Sequence, residues 1–287
     1  MKTKVTEYYM DSSGADSGDR SPGRCLSLTV SGPWGHFRRV DGNTVKATYR
    51  IPPRTTVAGL LAAIAGYERD GYYETFDRSR SGIAIQPVVT RTARRGITRD
   101  SAIRTMNLPE NSLTTSNEGM KTVNSRGKVS IRYPKPDADR QRINYEVLVD
   151  PAYRFDVWLA DETAYDRLHS RLADGRSEYV PSLGLSEFLA SVTFHGEFPF
   201  TPAEDRTDEP VAIDSALPDP KEIVPAPDRP HGTERSPGDM TRTVRAGEFT
   251  GRKTTEYLRW AYSRNGDPLH ARGVEAYEVD GRTVVFS

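Results

Sequence analysis

The chain has 287 residues, 36% hydrophobic and 28% charged, with 40 basic and 40 acidic side chains and one cysteine. That length holds one large domain, or a domain with a sizeable insertion, and no apolar run approaches the roughly 18 residues of a membrane span. The single thiol, Cys25, excludes an intrachain disulfide framework and fits a reducing cytoplasm.

Residues 1–24 are polar, with a Ser/Gly/Asp-rich stretch and no apolar centre. They read as a flexible leader rather than a signal peptide. Cys25 to Ser31 alternate and stop at Gly32-Pro33, which predicts a first strand. A basic segment follows to Arg50, then Ile51-Pro52-Pro53-Arg54-Thr55-Thr56. The prolines forbid helix before them, and Thr55 or Thr56 can cap a helix over Val57 to Tyr67. Gly59 within that helix predicts close approach to a sheet. Ile83 to Thr90 is the second strand.

Residues 91–142 carry twelve basic and five acidic side chains, with scattered Gly and Pro and no strong apolar period. So long a stretch reads as a functional insertion. Ile143 to Trp158 resumes the sheet, interrupted at Asp150-Pro151, and Asp161 to Ala173 is a second helix. Phe188 to Phe200 reads as a strand. Residues 197–239 reverse the charge, with eleven acidic and four basic side chains, and within them Pro199 to Pro237, rich in prolines, reads as a linker-like excursion with at most short edge strands. A final hairpin turns at Asp280-Gly281. A chain that separates its charge in this way can bind a polyanion through one surface. The order strand, helix, strand, insertion, strand, helix, strand is that of a ferredoxin-like α+β fold, which also underlies the RNA-recognition domain.

Two blocks then become informative together. The stretch from Leu28 to Arg39, with Gly32-Pro33-Trp34-Gly35-His36-Phe37, followed by Tyr49 to Ile64, resembles the N-terminal signature of the Cas-five family, the RAMP-type subunits of Cascade. Tyr179-Val180-Pro181-Ser182-Leu183-Gly184-Leu185-Ser186-Glu187-Phe188 is similar to a block of its subtype I-B, haloarchaeal-like members. The resemblance implies a ferredoxin-like (RRM-like, RAMP) domain over residues 25–200. Its thumb-like insertion would be residues 91–142. Residues 201–287 carry no matching motif and read from their composition as an acidic, Pro-rich excursion and an irregular C-terminal β extension. The resemblance further implies a subunit that binds the 5′ handle of the CRISPR RNA beside backbone and large subunits, and target DNA indirectly.

Candidate RNA contacts fall in two groups. Arg38, Arg39, Lys46, Arg50 and Arg54 flank the first helix start, where free N–H groups beside Thr55 also suit a phosphate. Trp34, His36, Phe37 and Tyr49 either stack on bases or pack at the sheet edge. In the insertion, Arg91, Arg94, Arg95, Arg104, Arg126, Lys128 and Arg132 suit a backbone-tracking arm. The bland alternative for both basic groups is a solvated face. For residues 181–188 the preferred reading is structural: a tight turn feeding a turn of helix, with Leu183, Leu185 and Phe188 in the core.

The expected protein is not an enzyme and carries no cofactor. Subtype I-C relatives cleave precursor RNA with a tyrosine and an adjacent lysine–histidine pair. This chain has no Lys-His dipeptide and no histidine between His36 and His169. A metal-independent endoribonuclease that processes precursor CRISPR RNA is the alternative, and an RNA-binding domain outside CRISPR immunity is a third reading. The five histidines show no metal-ligand spacing, and no phosphate loop or dinucleotide fingerprint occurs.

Overall fold

The computed structural model describes residues 23–39, 45–89, 102–112, 122–123, 129–130, 141–203, 209–225, 230–245 and 248–287. In chain order these form β1 (Gly23–Ser31), β2 (Trp34–Gly35), β3 (Val45–Lys46), α1 (Arg54–Ala65), β4 (Ser81–Pro87), β5 (Thr105–Ser112), β6 (Thr122–Val123), β7 (Val129–Ser130), β8 (Gln141–Val149) and β9 (Ala152–Leu159). There follow α2 (Glu162–Ala173), β10 (Ser191–Pro202), β11 (Val211–Ile213), β12 (Leu217–Pro218), β13 (Glu222–Val224), β14 (His231–Arg245), β15 (Glu248–Ser263), β16 (Leu269–Arg272), β17 (Tyr277–Val279) and β18 (Arg282–Val284).

The main sheet has six strands in the order β18-β17-β10-β1-β9-β4, every pairing antiparallel. Period-two alternation sorts its side chains. Leu26, Leu28 and Val30 of β1, Ile83 and Ile85 of β4, and Phe155 and Val157 of β9 form one core with both helices. Cys25, Ala84, Trp158, Phe200, Tyr277, Val284 and Phe286 pack together in a second cluster. Each fully buried Leu, Ile or Phe contributes about 1.5–3 kcal/mol of transfer free energy.

Helix α1 starts where the prolines release the chain. Its N-cap is Pro53, without a side-chain cap, so neither Thr55 nor Thr56 caps it; Arg54 already lies in the first turn. The helix buries residues all round, including Val57, Leu61 and Ile64, because the sheet, α2 and β14 enclose it. It ends on Gly66 at φ 80°, whose N–H reaches the Ala62 carbonyl. Gly59 does not mark a crossing of the sheet: a Cβ there would meet the Tyr72 hydroxyl at 3.0 Å. Helix α2 is amphipathic, capped by Asp161 accepting from Ala164 N at 3.1 Å, and buries Ala164, Tyr165, Leu168 and Leu172.

Two expectations are corrected. The insertion is not wholly without strand, since β5 pairs with β8 from Thr105↔Leu148 to Ser112↔Gln141. The acidic excursion is more than a linker: it supplies β11, β12, β13 and most of β14, whose hairpin with β15 continues from His231↔Ser263 to Arg245↔Glu248. The C-terminal hairpin is part of the main sheet, through Phe200↔Val279 to Pro202↔Tyr277. Its turn follows the sequence signal, with Asp280 at φ 49° and Gly281 at φ 69°. Among the described residues no helix is long and apolar enough to cross a membrane.

Candidate nucleic-acid interface

Beyond β1 the chain leaves the main sheet and folds onto β8. Gly32 N donates to the Pro151 carbonyl at 3.1 Å, and β2 pairs antiparallel with Leu148–Val149. The segment then doubles back: Tyr49 N reaches the Phe37 carbonyl at 2.8 Å, Arg39 N the Ala47 carbonyl at 2.9 Å, and β3 runs parallel to Asn144–Tyr145. Strand β8 therefore sits between β5 on one side and β2 and β3 on the other.

This folding divides the predicted contacts into buried and presented residues. His36, Phe37 and Tyr49 are 1%, 2% and 7% exposed, so they pack rather than stack on bases. Phe37 stands edge-on to Tyr153, with centroids 5.9 Å apart. His36 Nδ1 lies 2.8 Å from the Glu146 carbonyl, which makes Nδ1 the protonated nitrogen. Burial, with smaller contributions from Arg38 and Lys46, lowers the His36 pKa against the opposing pull of that carbonyl. Its Nε2 is buried without a partner among the described residues.

Arg50 and Arg54 are also structural. The Arg50 guanidinium clasps the Glu146 carboxylate at 2.6 and 3.0 Å and donates to the Thr48 carbonyl at 2.7 Å. Burial pushes Glu146 up, but hydrogen bonds from Arg50 and Thr48 N outweigh it and hold the carboxylate below its ordinary value. Arg54 is 1% exposed and makes five hydrogen bonds, to the carbonyls of Ser287, Phe76 and Ser81, to Ser81 Oγ, and to Asp239 Oδ1 at 3.1 Å. Burial lowers Arg54 to about 10 and raises Asp239 to about 6, opposed in each case by the attraction between the two. Thr55 lies beside them, half-buried, in the wall of a small cavity with Tyr72 and Met240.

The carboxylates of Glu234 and Asp239, both from β14, thus serve the basic N-terminal segment. Glu234 accepts from Arg50 N at 3.0 Å and Ile51 N at 2.6 Å, just ahead of the two prolines that precede the helix. Burial raises the Glu234 pKa even so. The sequence offered no local signal for this, because the partners are 184 and 185 residues apart.

Trp34, Arg38, Arg39 and Lys46 remain at the surface: the two arginines are exposed and Trp34 and Lys46 half-exposed. Lys46 Nζ hydrogen-bonds the Tyr145 hydroxyl and sits 4.3 Å from that ring's centroid. Tyr145, missed by the sequence reading, also tilts against His36 at 5.3 Å. The alternation Tyr145-Val147-Val149 could have singled it out. Trp34 pairs with Val149 and Leu108 with Tyr145, so Trp34, Leu108, Tyr145 and exposed Met106, opposite Val147, share one face of the small sheet. Arg104, at the entry to β5, is engaged by Asp150 at 2.8 Å. Arg91, Arg94, Arg95, Arg126, Lys128 and Arg132 lie outside the described residues.

The two sequence blocks meet in space. His36 N donates to the Leu183 carbonyl at 2.9 Å, and Gly184, at φ 94°, passes so close that a Cβ would lie 2.0 Å from the His36 oxygen. Only glycine fits that backbone and that gap. The segment is a bridged turn, Ser182↔Leu189, not a turn of helix, and of Leu183, Leu185 and Phe188 only Leu183 is fully buried. Tyr179, Val180 and Leu189 beside it are 52%, 72% and 58% exposed.

On the far face of the main sheet, Arg282 pairs with Asp156 at 2.7 and 2.8 Å and Arg154 with Asp280 at 2.7 Å. Trp158, Phe200, Tyr277 and Phe286 are buried in their own cluster. These side chains are occupied with one another and form no stacking platform of the RNA-recognition type. Among the described residues no group of three His, Cys, Asp or Glu could hold a metal ion.

Residues 25–253 match the family described as CRISPR-associated protein (Cas_Cas5). No curated protein matches the chain. Among solved structures, the chain is similar to one described as "CRISPR RNA-guided surveillance complex", with 14% identity over 87% of this chain and 91% of that one, at a TM-score of 0.43. It is also similar to a CRISPR protein from Archaeoglobus fulgidus, with 15% identity over 91% and 98% of the two chains, at a TM-score of 0.44.

Proposed function

This chain belongs to the CRISPR-associated Cas_Cas5 family, and we propose that it serves a CRISPR effector complex as a non-catalytic subunit gripping the 5′ handle of the guide RNA. In this reading its sheet and two helices are a ferredoxin-like RAMP domain, residues 91–142 its thumb, and the complex a cytoplasmic Cascade of subtype I-B. The observation that carries the reading is the face of the small sheet bearing Trp34, Lys46 and Tyr145, with exposed Arg38 and Arg39 beside it. Aromatic faces take bases without demanding sequence, and cations alongside take phosphates. The exposed Tyr179, Val180 and Leu189 suit a neighbouring backbone or large subunit.

Titrating handle RNA against the wild type and against Arg38→Ala, Lys46→Ala and Tyr145→Ala variants tests this. Each lost phosphate contact reduces the slope of log affinity against log salt by about 0.7, and a lost stacking contact costs about 1–3 kcal/mol. Wild-type affinity and slope in all three variants would refute the grip.

A second reading has one observation in its favour. His36, Tyr145 and Lys46, scattered in sequence, come together as an imidazole, a phenol and a cation, the group types that metal-independent RNA cleavage uses. The near-complete burial of His36 speaks for the binding role instead. Cleavage of repeat RNA in EDTA that disappears in His36→Ala would establish the nuclease. Family membership sets aside an RNA-binding domain unrelated to CRISPR.

A further inference from the structure

The hairpin of β14 and β15 sorts its side chains by charge. Leu258, Trp260 and Tyr262 face inward and are buried, and on the same side the Trp260 indole donates to Ser236 Oγ at 3.1 Å. Three carboxylates of the hairpin are spent on the body of the protein. Glu234 accepts from Arg50 N and Ile51 N, Asp239 meets Arg54, and Glu256 meets Arg78 at 2.6 Å.

By the period of two, Arg235, Tyr257 and Arg259 stand on the opposite face. All three are exposed, Tyr257 at 48%. Lys253, also exposed, continues the row along β15. Among the described residues no carboxylate pairs with any of these cations. Asp219, just past β12, accepts from the backbone N–H of Arg259 at 2.8 Å rather than from its guanidinium.

Within that face Arg235 stands directly opposite Arg259 in the register. Like charges so paired oppose strand association, and an anion held between them removes the opposition. Beside the pair, Arg235 Cζ lies 4.8 Å from the centroid of the Tyr257 ring, a cation–π contact that steadies an aromatic side chain at the surface. A place for an anion next to an exposed ring is the pattern that a single strand requires, with a phosphate on the cations and an unpaired base on the aromatic face. A duplex keeps its bases stacked within and offers no base face to the ring. An acidic peptide offers carboxylates and leaves the ring unused.

We propose that the outward face of the β14–β15 hairpin is a second nucleic-acid site, which holds one phosphate of a single strand between Arg235 and Arg259 and the adjoining base on Tyr257. It belongs to a different sheet from the Lys46–Tyr145 face and does not rest on the guide-RNA reading.

The test titrates the full chain with oligouridylate and oligothymidylate, read by fluorescence anisotropy. One phosphate held on a single strand contributes about 0.7 to the slope of log affinity against log salt, so Arg235→Gln with Arg259→Gln lowers the slope by about that amount. Between about 50 and about 200 mM salt, the wild type then loses roughly two- to threefold more affinity than this variant. Tyr257→Ala weakens binding roughly 5- to 150-fold, and Tyr257→Phe, which keeps the ring, retains wild-type affinity. Ultraviolet crosslinking of a thiouridine-labelled strand places an adduct on the peptide that carries Tyr257. Thermal melting verifies the fold of each variant, all three positions being exposed. A loss confined to one oligomer supports the site and names the sugar it accepts. Wild-type affinity in folded Tyr257→Ala overturns the base contact, and an unchanged slope in the folded arginine variant overturns the phosphate contact. Polyglutamate that displaces the oligomers and binds Tyr257→Ala as tightly as the wild type overturns the nucleic-acid site and assigns the face to an acidic protein surface.

Discussion

The Arg54 guanidinium and the Asp239 carboxylate meet at 3.1 Å across 185 residues of chain, joining the first turn of α1 to the middle of β14. Neither group is presented to solvent: their side chains are 1% and 15% exposed. A basic residue at a helix start, which the sequence suggested for a phosphate, is here a bolt in the fold.

Arg54→Leu therefore acts on stability. It leaves Asp239 and three carbonyl acceptors without their donor and costs about 3–5 kcal/mol, the range for breaking a buried pair. Arg38→Ala, at an exposed position, changes stability by less than about 0.5 kcal/mol. Urea unfolding of both variants distinguishes the two roles, and equal midpoints would contradict them.

The same pair gives stability a dependence on pH. Burial raises Asp239 from 3.8 to about 6 in the folded protein, so the fold holds that proton more tightly than the unfolded chain does. The group's contribution is fully present below 3.8 and is lost as pH rises through about 6. A shift of that size corresponds to roughly 3 kcal/mol. Asp70 and Glu146, held below their ordinary values, act in the opposite sense and lose their contributions as pH falls. The readout is therefore the difference between wild type and Asp239→Asn, followed by urea unfolding from pH 4 to pH 7. The wild type loses ground to the variant as pH rises, and a constant difference would contradict the assignment.

Gly184→Ala places a methyl group 2.0 Å from the His36 carbonyl oxygen in a backbone at φ 94°. Neither the contact nor the dihedral relaxes without moving one sequence block off the other, at a cost of at least about 2 kcal/mol. The melting temperature falls accordingly. Gly175→Ala, with open space around the added Cβ at φ 64°, carries the dihedral strain alone and falls less.

Arg94→Ala with Arg95→Ala tests the insertion. These residues lie outside the described ones, and the prediction rests on the density of arginine in the sequence. Guide RNA binding weakens, the salt slope falls by about 0.7 for each engaged phosphate, and preference for the handle survives. Parallel lines of equal intercept would mean that both arginines remain solvated.

What the sequence made legible was local. Asp161 announces its helix through its own side chain, Asp280-Gly281 its hairpin through two left-handed residues, and Pro52-Pro53 the boundary before α1. The strand–helix order followed from such signals. The partition of the basic segment did not, because it depends on which side chains a distant strand covers. Glu234 and Asp239 lie in a stretch that reads as acidic and solvated, yet they are the partners of Arg50, Ile51 and Arg54. Histidine and aromatic residues near arginines look alike whether they face a base or the core, and it is the return of residues 45–50 onto β8, with the Leu183–Gly184 segment, that covers His36, Phe37 and Tyr49. The alternation Tyr145-Val147-Val149 could place Tyr145 on a strand face, but not beside its partner Lys46, which is 99 residues away.

The central place of β1 has a consequence for how the chain acquires its shape. Its two neighbours come from residues 152–157 and 191–200, so β1 has neither pairing partner until more than a hundred further residues have been made. The α1 helix, whose first turn carries Arg54, waits longer still for Asp239. Contacts so distant in sequence raise the relative contact order, and chains of that kind fold in milliseconds to seconds rather than microseconds. Until β10 arrives, β1 exposes a run of backbone donors and acceptors beside Leu26, Leu28 and Val30, the surface on which a chaperone or a second unfolded copy would act. Slow refolding from urea, with aggregation rising with protein concentration, is the kinetic signature to be expected of this topology.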